Sequence, residues 1–198
     1  MPSQGRKLLY LRGLKDHFEV FFYEILLSGA TFGLFYILNL SMTSSITPIY
    51  GAHWIFLPAG ARLLLTLVFP ISGPIGIGIS AFLIAYFFRL PGQLITALGI
   101  GITVGVSPFI SRLIVVRQFK ILPDLSNISI TKIFYCTLVF SAVSAVLHHS
   151  WYVYRDLRLP GFNGFGIEFV GNAIGTFLVL SFFKILAEKF IPANKSVD

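Results

Sequence analysis

The residues of this chain that could do chemistry are few, and apolar runs surround them. His53, Trp54 and Arg62 stand in one such run, His148 and His149 close a later one, and Glu168 and Asn172 lie four apart in the last. Four residues is about one helical turn, so Glu168 and Asn172 share a face. If the runs are membrane helices, rising about 1.5 Å per residue, Arg62 and Asn172 reach similar depth. Ionisable groups at that depth are costly, which makes them functional candidates by default. Two main readings are open. Arg62 and Glu168 could form an ion pair that staples two helices and satisfies both charges. Alternatively, Arg62, Glu168, Asn172 and a histidine converge on a polar pocket for a small ligand. A proton or ion path is a third, and it would want a further ionisable group deeper along the same route.

Other chemistries find less support. Adjacent helical residues point about 100° apart, so His148 and His149 cannot ligate one ion together. Only His53 stands at a matching depth on another helix, so neither a metal nor haem is expected. Cys136 is the single cysteine, which excludes disulfides and a thiolate metal site. Intramembrane proteolysis would need a Gly-x-Ser-Gly nucleophile or paired acids, and neither occurs. There is no phosphate-cradling loop followed by Lys. The expectation is no catalytic residue, no cofactor and no enzyme.

The elements that must position these groups follow from composition. Of 198 residues, 56% are hydrophobic, 16% aromatic and 12% charged, with a mean hydropathy of +0.83. Ordinary soluble domains carry about 25% charged residues. A fold of this size still exposes about a third of its chain area, too much to hide such a composition from water. A soluble enzyme and a disordered chain are both excluded. The reading is an all-α, polytopic integral membrane bundle of about six transmembrane helices. Spans are expected at Val20 to Leu40, Ile49 to Phe69, Ile75 to Phe88, Gln93 to Val116, Ile130 to Tyr152 and Phe165 to Leu186, each near the 20 or so apolar residues a crossing needs except the third. The second and third could form a re-entrant hairpin instead. All of 1–198 reads as one transmembrane domain: an interfacial amphipathic segment over 1–19, the bundle over 20–191 and a tail over 192–198.

Six spans put Arg6, Lys7, Arg12, Lys15, Arg117, Lys120, Lys132, Lys184, Lys189 and Lys195 on one side and Arg89, Arg155 and Arg158 on the other. Ten against three is a positive-inside bias, so both termini are expected in the cytoplasm. The formal charge of +7 then reflects attraction to anionic lipid headgroups, and no nucleic-acid partner is expected. Leu8, Leu11, Leu14 and Phe18 suit a helix lying in the inner interface, or a simple continuation of the first span. The apolar run after the basic start is too long for a cleaved signal. Asn127-Ile128-Ser129 is a sequon in an expected cytoplasmic loop. Glu24 and Arg112 lie about one turn from the inner ends of their spans and can snorkel or pair. Gly29 with Gly33, Gly101 with Gly105, and Gly171 with Gly175 supply the small-residue spacing that lets membrane helices approach closely. The third span adds Gly76, Gly78, Ser80 and Ala81. Pro58 and Pro108 are expected to kink their spans.

The string Trp54-Ile55-Phe56-Leu57-Pro58-Ala59-Gly60-Ala61-Arg62-Leu63-Leu64 resembles the signature helix of the bacterial membrane-associated sensor family. Gly171-Asn172-Ala173-Ile174-Gly175 looks like that family's Gly-Asp-Ala-x-Gly stretch. The resemblance implies a polytopic sensory input module, with Pro58, Gly60, Gly171, Asn172 and Gly175 shaping helices. The chain departs in having fewer spans, Asn172 where an acid is common, and no cytoplasmic output domain. A module of that kind would signal through a separate membrane or cytoplasmic partner protein. A second likeness, of architecture and of Gly73-Pro74-Ile75-Gly76, is to the substrate-binding subunits of energy-coupling-factor vitamin transporters. The leading expectation is a sensory or ligand-binding module in a bacterial inner membrane. The alternatives are a transporter's substrate-binding subunit and a structural membrane subunit.

Overall fold

The computed structural model describes residues 3–43, 53–157 and 162–190, with side chains from His17 onward and none at Phe162. Every regular element among them is helical: α1 Ser3–Thr43, α2 Leu57–Val68, α3 Ser72–Ile84, α4 Leu94–Phe119, α5 Ile130–Tyr154 and α6 Phe162–Phe190. A π-helical turn, Ala85–Arg89, extends α3 and closes with a Leu90 N–H to Ala85 carbonyl bond of 2.8 Å. Five segments are long and apolar enough to cross a membrane: His17–Thr43, Ser72–Arg89, Leu94–Phe119, Ile130–Tyr154 and Asn163–Phe190. Their outer faces carry exposed large apolar side chains such as Phe22, Ile37, Phe88, Ile102 and Phe182, as lipid-facing helices do.

The expected second span is corrected. Among its described residues only Leu57–Val68 is helical, 12 residues, or about 18 Å of rise against a hydrocarbon core of about 30 Å. His53 and Trp54 precede the helix as non-helical chain. The first part of that span, 49–52, lies outside the described residues. Pro58 does not kink anything. It occupies the first turn of α2, where a missing N–H leaves no bond unmade. Pro108, by contrast, lies inside α4 as expected. The first span also runs further than expected, because α1 is one helix to Thr43 rather than stopping at Leu40.

The short α2 sits in the middle. Nine of its twelve residues are buried, and α1, α3, α4 and α6 all pack against it. The long helices form the wall around it in the order α1, α3, α4, α5, α6. At one end, Trp151 Nε1 donates to the Thr96 carbonyl and Phe56 N–H to the Gly171 carbonyl, both at 3.1 Å. At the other, Ser72 Oγ donates to Glu24, so Glu24 pairs with α3 and not with Arg112. The α4–α5 connection is pinned by Asn127, whose Nδ2 donates to the Lys120 carbonyl at 2.8 Å. Beside it the Ser126 N–H and hydroxyl both donate to Asp124 Oδ1, and these bonds hold the Asp124 carboxyl below its usual pKa.

Candidate functional site

The site is built where non-helical chain meets α6. Phe56, Leu57 and their neighbours need hydrogen-bond partners, because lipid supplies none. Gly171 accepts from the Phe56 N–H, and Asn39 Oδ1 on α1 accepts from the Leu57 N–H at 2.9 Å. Asn39 therefore caps α2 from another helix. Its own Nδ2 donates to Thr43 Oγ1 at 3.0 Å, and Thr43 Oγ1 approaches His53 Nδ1 at 3.4 Å. Gly171 and Gly175 are where the chain lies on α6. A Cβ on Gly171 would overlap the His53 carbonyl oxygen, and one on Gly175 would overlap that of Phe56. Gly60 on α2 meets the Gly175 carbonyl and Val179 in the same seam. The Trp54–Leu64 string and the Gly171–Gly175 stretch are thus in direct contact.

One turn along α2 from Pro58, the Arg62 side chain is fully buried, with 0% exposure. It donates to Ser144 Oγ at 2.8 Å and to His148 Nε2 at 3.5 Å. Arg62 can only donate, so His148 Nε2 accepts and its proton sits on Nδ1. That Nδ1–H then donates to Glu168 Oε1 at 2.8 Å. The direct Arg62–Glu168 ion pair is therefore corrected to a relay, Arg62 to His148 to Glu168, across α2, α5 and α6. Asn172 Nδ2 joins the cluster through Ser144 Oγ at 3.3 Å. The guanidinium lies over the rings of Phe140 and Phe56, at 5.1 and 5.9 Å from their centroids, a cation–π arrangement strengthened by desolvation.

Arg62, His148, Glu168 and Asn172 line a cavity of about 50 Å³. A water needs roughly 10–15 Å³ by the same measure, so the space suits a few waters or a small ion. Besides Arg62, Glu168, Asn172, His148 and His53, its walls include Arg89, Tyr36 and Tyr152. Arg89 Nη1 lies 3.4 Å from the Tyr152 hydroxyl, brought there by the π-helical turn, a feature often found at functional sites. Two expected members stand apart. Trp54 is 44% exposed, and His149 packs edge-on against Phe165 at 6.2 Å. Each is one residue away from a member of the cluster, and one residue is enough to turn a side chain away. Among the described residues no three of His, Cys, Asp and Glu stand together as metal ligands would. Sequence reasoning missed Ser144, Asn39, Arg89 and Tyr152 as members. Only Arg89 carried a signal, as a charge closing an apolar run.

The chain matches no known family model, no curated protein and no solved structure.

Proposed function

We propose that this protein is a sensory or ligand-binding module of a bacterial-type inner membrane, with both termini cytoplasmic, that acts through a separate partner protein. One observation carries the reading: a fully buried arginine borders a small cavity and keeps an N–H without a partner. A purely structural ion pair is stable when its remaining donors are satisfied, and Arg62 falls short of that. The likeness of Trp54–Leu64 and Gly171–Gly175 to the membrane-associated sensor family supports the same reading. Mechanistically, a ligand at Arg62 would favour one arrangement of α2 against α5 and α6. Only such a difference in affinity can shift the equilibrium. The short α2, held at its start by Asn39 and Gly171, is the element such a ligand would move. A vitamin-sized cargo is less well supported, since pockets for such molecules run to roughly 300–1,000 Å³.

The test is purification from native membranes in mild detergent, for the wild type and Arg62→Ala, with quantitative identification of what co-purifies. A near-stoichiometric kinase or cyclase is the expected result. A coupling membrane subunit with its ATPases overturns the reading in favour of transport. No partner, with a normal Arg62→Ala phenotype, overturns it in favour of a structural subunit.

A further inference from the structure

Between α3 and α4 the backbones touch, because glycines line the seam. A Cβ on Gly101 would meet the Gly78 carbonyl oxygen at 2.8 Å, and one on Gly105 that of Pro74 at 2.7 Å. So close an approach leaves larger side chains standing as two rims, Ile75 and Ile79 on α3, Leu98 and Ile102 on α4, all exposed. The groove between them holds about 480 Å³, and every residue lining it is apolar. It runs from Ile71 to Phe82 on α3 and from Leu98 to Phe109 on α4, about 16 Å at 1.5 Å per residue. That is close to one leaflet, half of a hydrocarbon core of about 30 Å. Its Ile71 end adjoins the start of the Ser72–Arg89 span, so the groove begins at one membrane face. At that end Arg112 stands one turn beyond Phe109, on the helix face of Gly101 and Gly105. Arg112 is half-buried. Its Nε is covered, its two Nη atoms are accessible, and it makes no hydrogen bond or ion pair among the described residues. Arg117 and Lys120 follow, both exposed. Of the acids at this end, Glu24 accepts from Ser72 Oγ and Asp124 from Ser126.

We infer that the α3–α4 groove binds one anionic phospholipid, with an acyl chain between the helices and its phosphate on Arg112. The chain matches the apolar lining and the single-leaflet length. A guanidinium fork matches phosphate oxygens, and Arg117 and Lys120 add attraction to a headgroup of net negative charge. A partner helix fits less well. It would need about 30 Å to cross, would overrun the groove, and would have to bring an acid to Arg112. The groove shares no lining residue with the Arg62 cavity, so the two sites stand or fall separately.

The test is native mass spectrometry of the full chain, delipidated in mild detergent and titrated with dioleoylphosphatidylglycerol or dioleoylphosphatidylcholine. The expected result is one saturable phosphatidylglycerol per chain, bound about fivefold tighter than phosphatidylcholine, the worth of one basic residue near an anionic surface. Arg112→Gln should erase that preference and leave phosphatidylcholine binding as it was. The variant should fold, since no described residue loses a partner. Val106→Trp, on the groove wall, should weaken both lipids with Arg112 in place. If Arg112→Gln does not fold, the wild-type preference and Val106→Trp decide. Equal binding of the two lipids, or a preference that survives Arg112→Gln, overturns the proposal. Lipid binding untouched by Val106→Trp puts the acyl chain elsewhere and overturns it as well. A lipid-free dimer that Val106→Trp breaks overturns it in favour of a second copy in the groove.

Discussion

The same glycine spacing serves two different contacts in this molecule. Between α3 and α4, Gly78 and Gly101 face each other, and a Cβ on Gly78 would come within 3.0 Å of the Gly101 carbonyl oxygen. Both partners there are regular helices, whose backbone groups are satisfied internally, so nothing polar is required nearby. What lies outside them is an open groove of about 480 Å³ lined by apolar side chains and glycines. On α6, Gly171 and Gly175 instead receive non-helical chain, whose carbonyl oxygens point at the helix. Unsatisfied backbone is expensive in a membrane, and this seam gathers Asn39, Thr43 and the Arg62 cluster around it. Gly-xxx-Gly therefore reports close approach and nothing more. The partner's backbone decides whether the contact is mere packing or the foundation of a polar site.

The largest expected effect tests the α6 side. In Gly171→Ala the new methyl would overlap the His53 carbonyl, which is backbone and cannot swing away. Overpacking of this kind costs about 3 kcal/mol or more. We expect loss of most folded protein, read by fluorescence-detected gel filtration. A variant as stable as wild type would mean that residues 53–56 do not rest on α6.

An effect of comparable size separates staple from site. Removing one member of a buried charge relay strands the other, at about 3–5 kcal/mol, whereas replacing both by apolar groups is often neutral. Glu168→Met should therefore be strongly destabilised, and Arg62→Met/Glu168→Met should recover most of that loss in denaturant titrations. If the cluster is only a staple, the double variant keeps every phenotype of the wild type. If it is a site, the double variant folds and fails to bind.

Much of this was legible before any coordinates. Arg62, Glu168, Asn172 and His148 announce themselves because charge and amides are costly at depth, and the long apolar runs announce their helices. What could not be read was the form of the second run. Leu57 to Val68 is apolar whether the chain before it is helix or not, and Pro58 fits both a kink and a first turn. The choice depends on Asn39 and Gly171, which are distant in sequence and meet Phe56 and Leu57 only in the fold. Ser144 was invisible for a related reason. A serine in a membrane helix commonly bonds its own backbone, and nothing local tells that this one accepts from Arg62. Trp54 and His149 failed differently, since at one-residue phase error the depth is right and the face is wrong.

The α3–α4 contact supplies the gentlest test. Gly78→Ala gains up to about 1 kcal/mol of helix propensity but must push the Gly101 backbone back by a few tenths of an ångström. Because the approach of 3.0 Å asks for a shift of only a few tenths of an ångström, the strain should stay near the low end of about 1–3 kcal/mol for overpacking. The net loss is expected to be about 1 kcal/mol or less in denaturant titration. Gly33→Ala calibrates it, since its nearest neighbour would be the movable Ser80 Oγ at 3.5 Å, and there the propensity gain should dominate. If Gly78→Ala proved as damaging as Gly171→Ala, regular helix would be no more forgiving than exposed carbonyls. The contrast between the two seams would then come from packing alone.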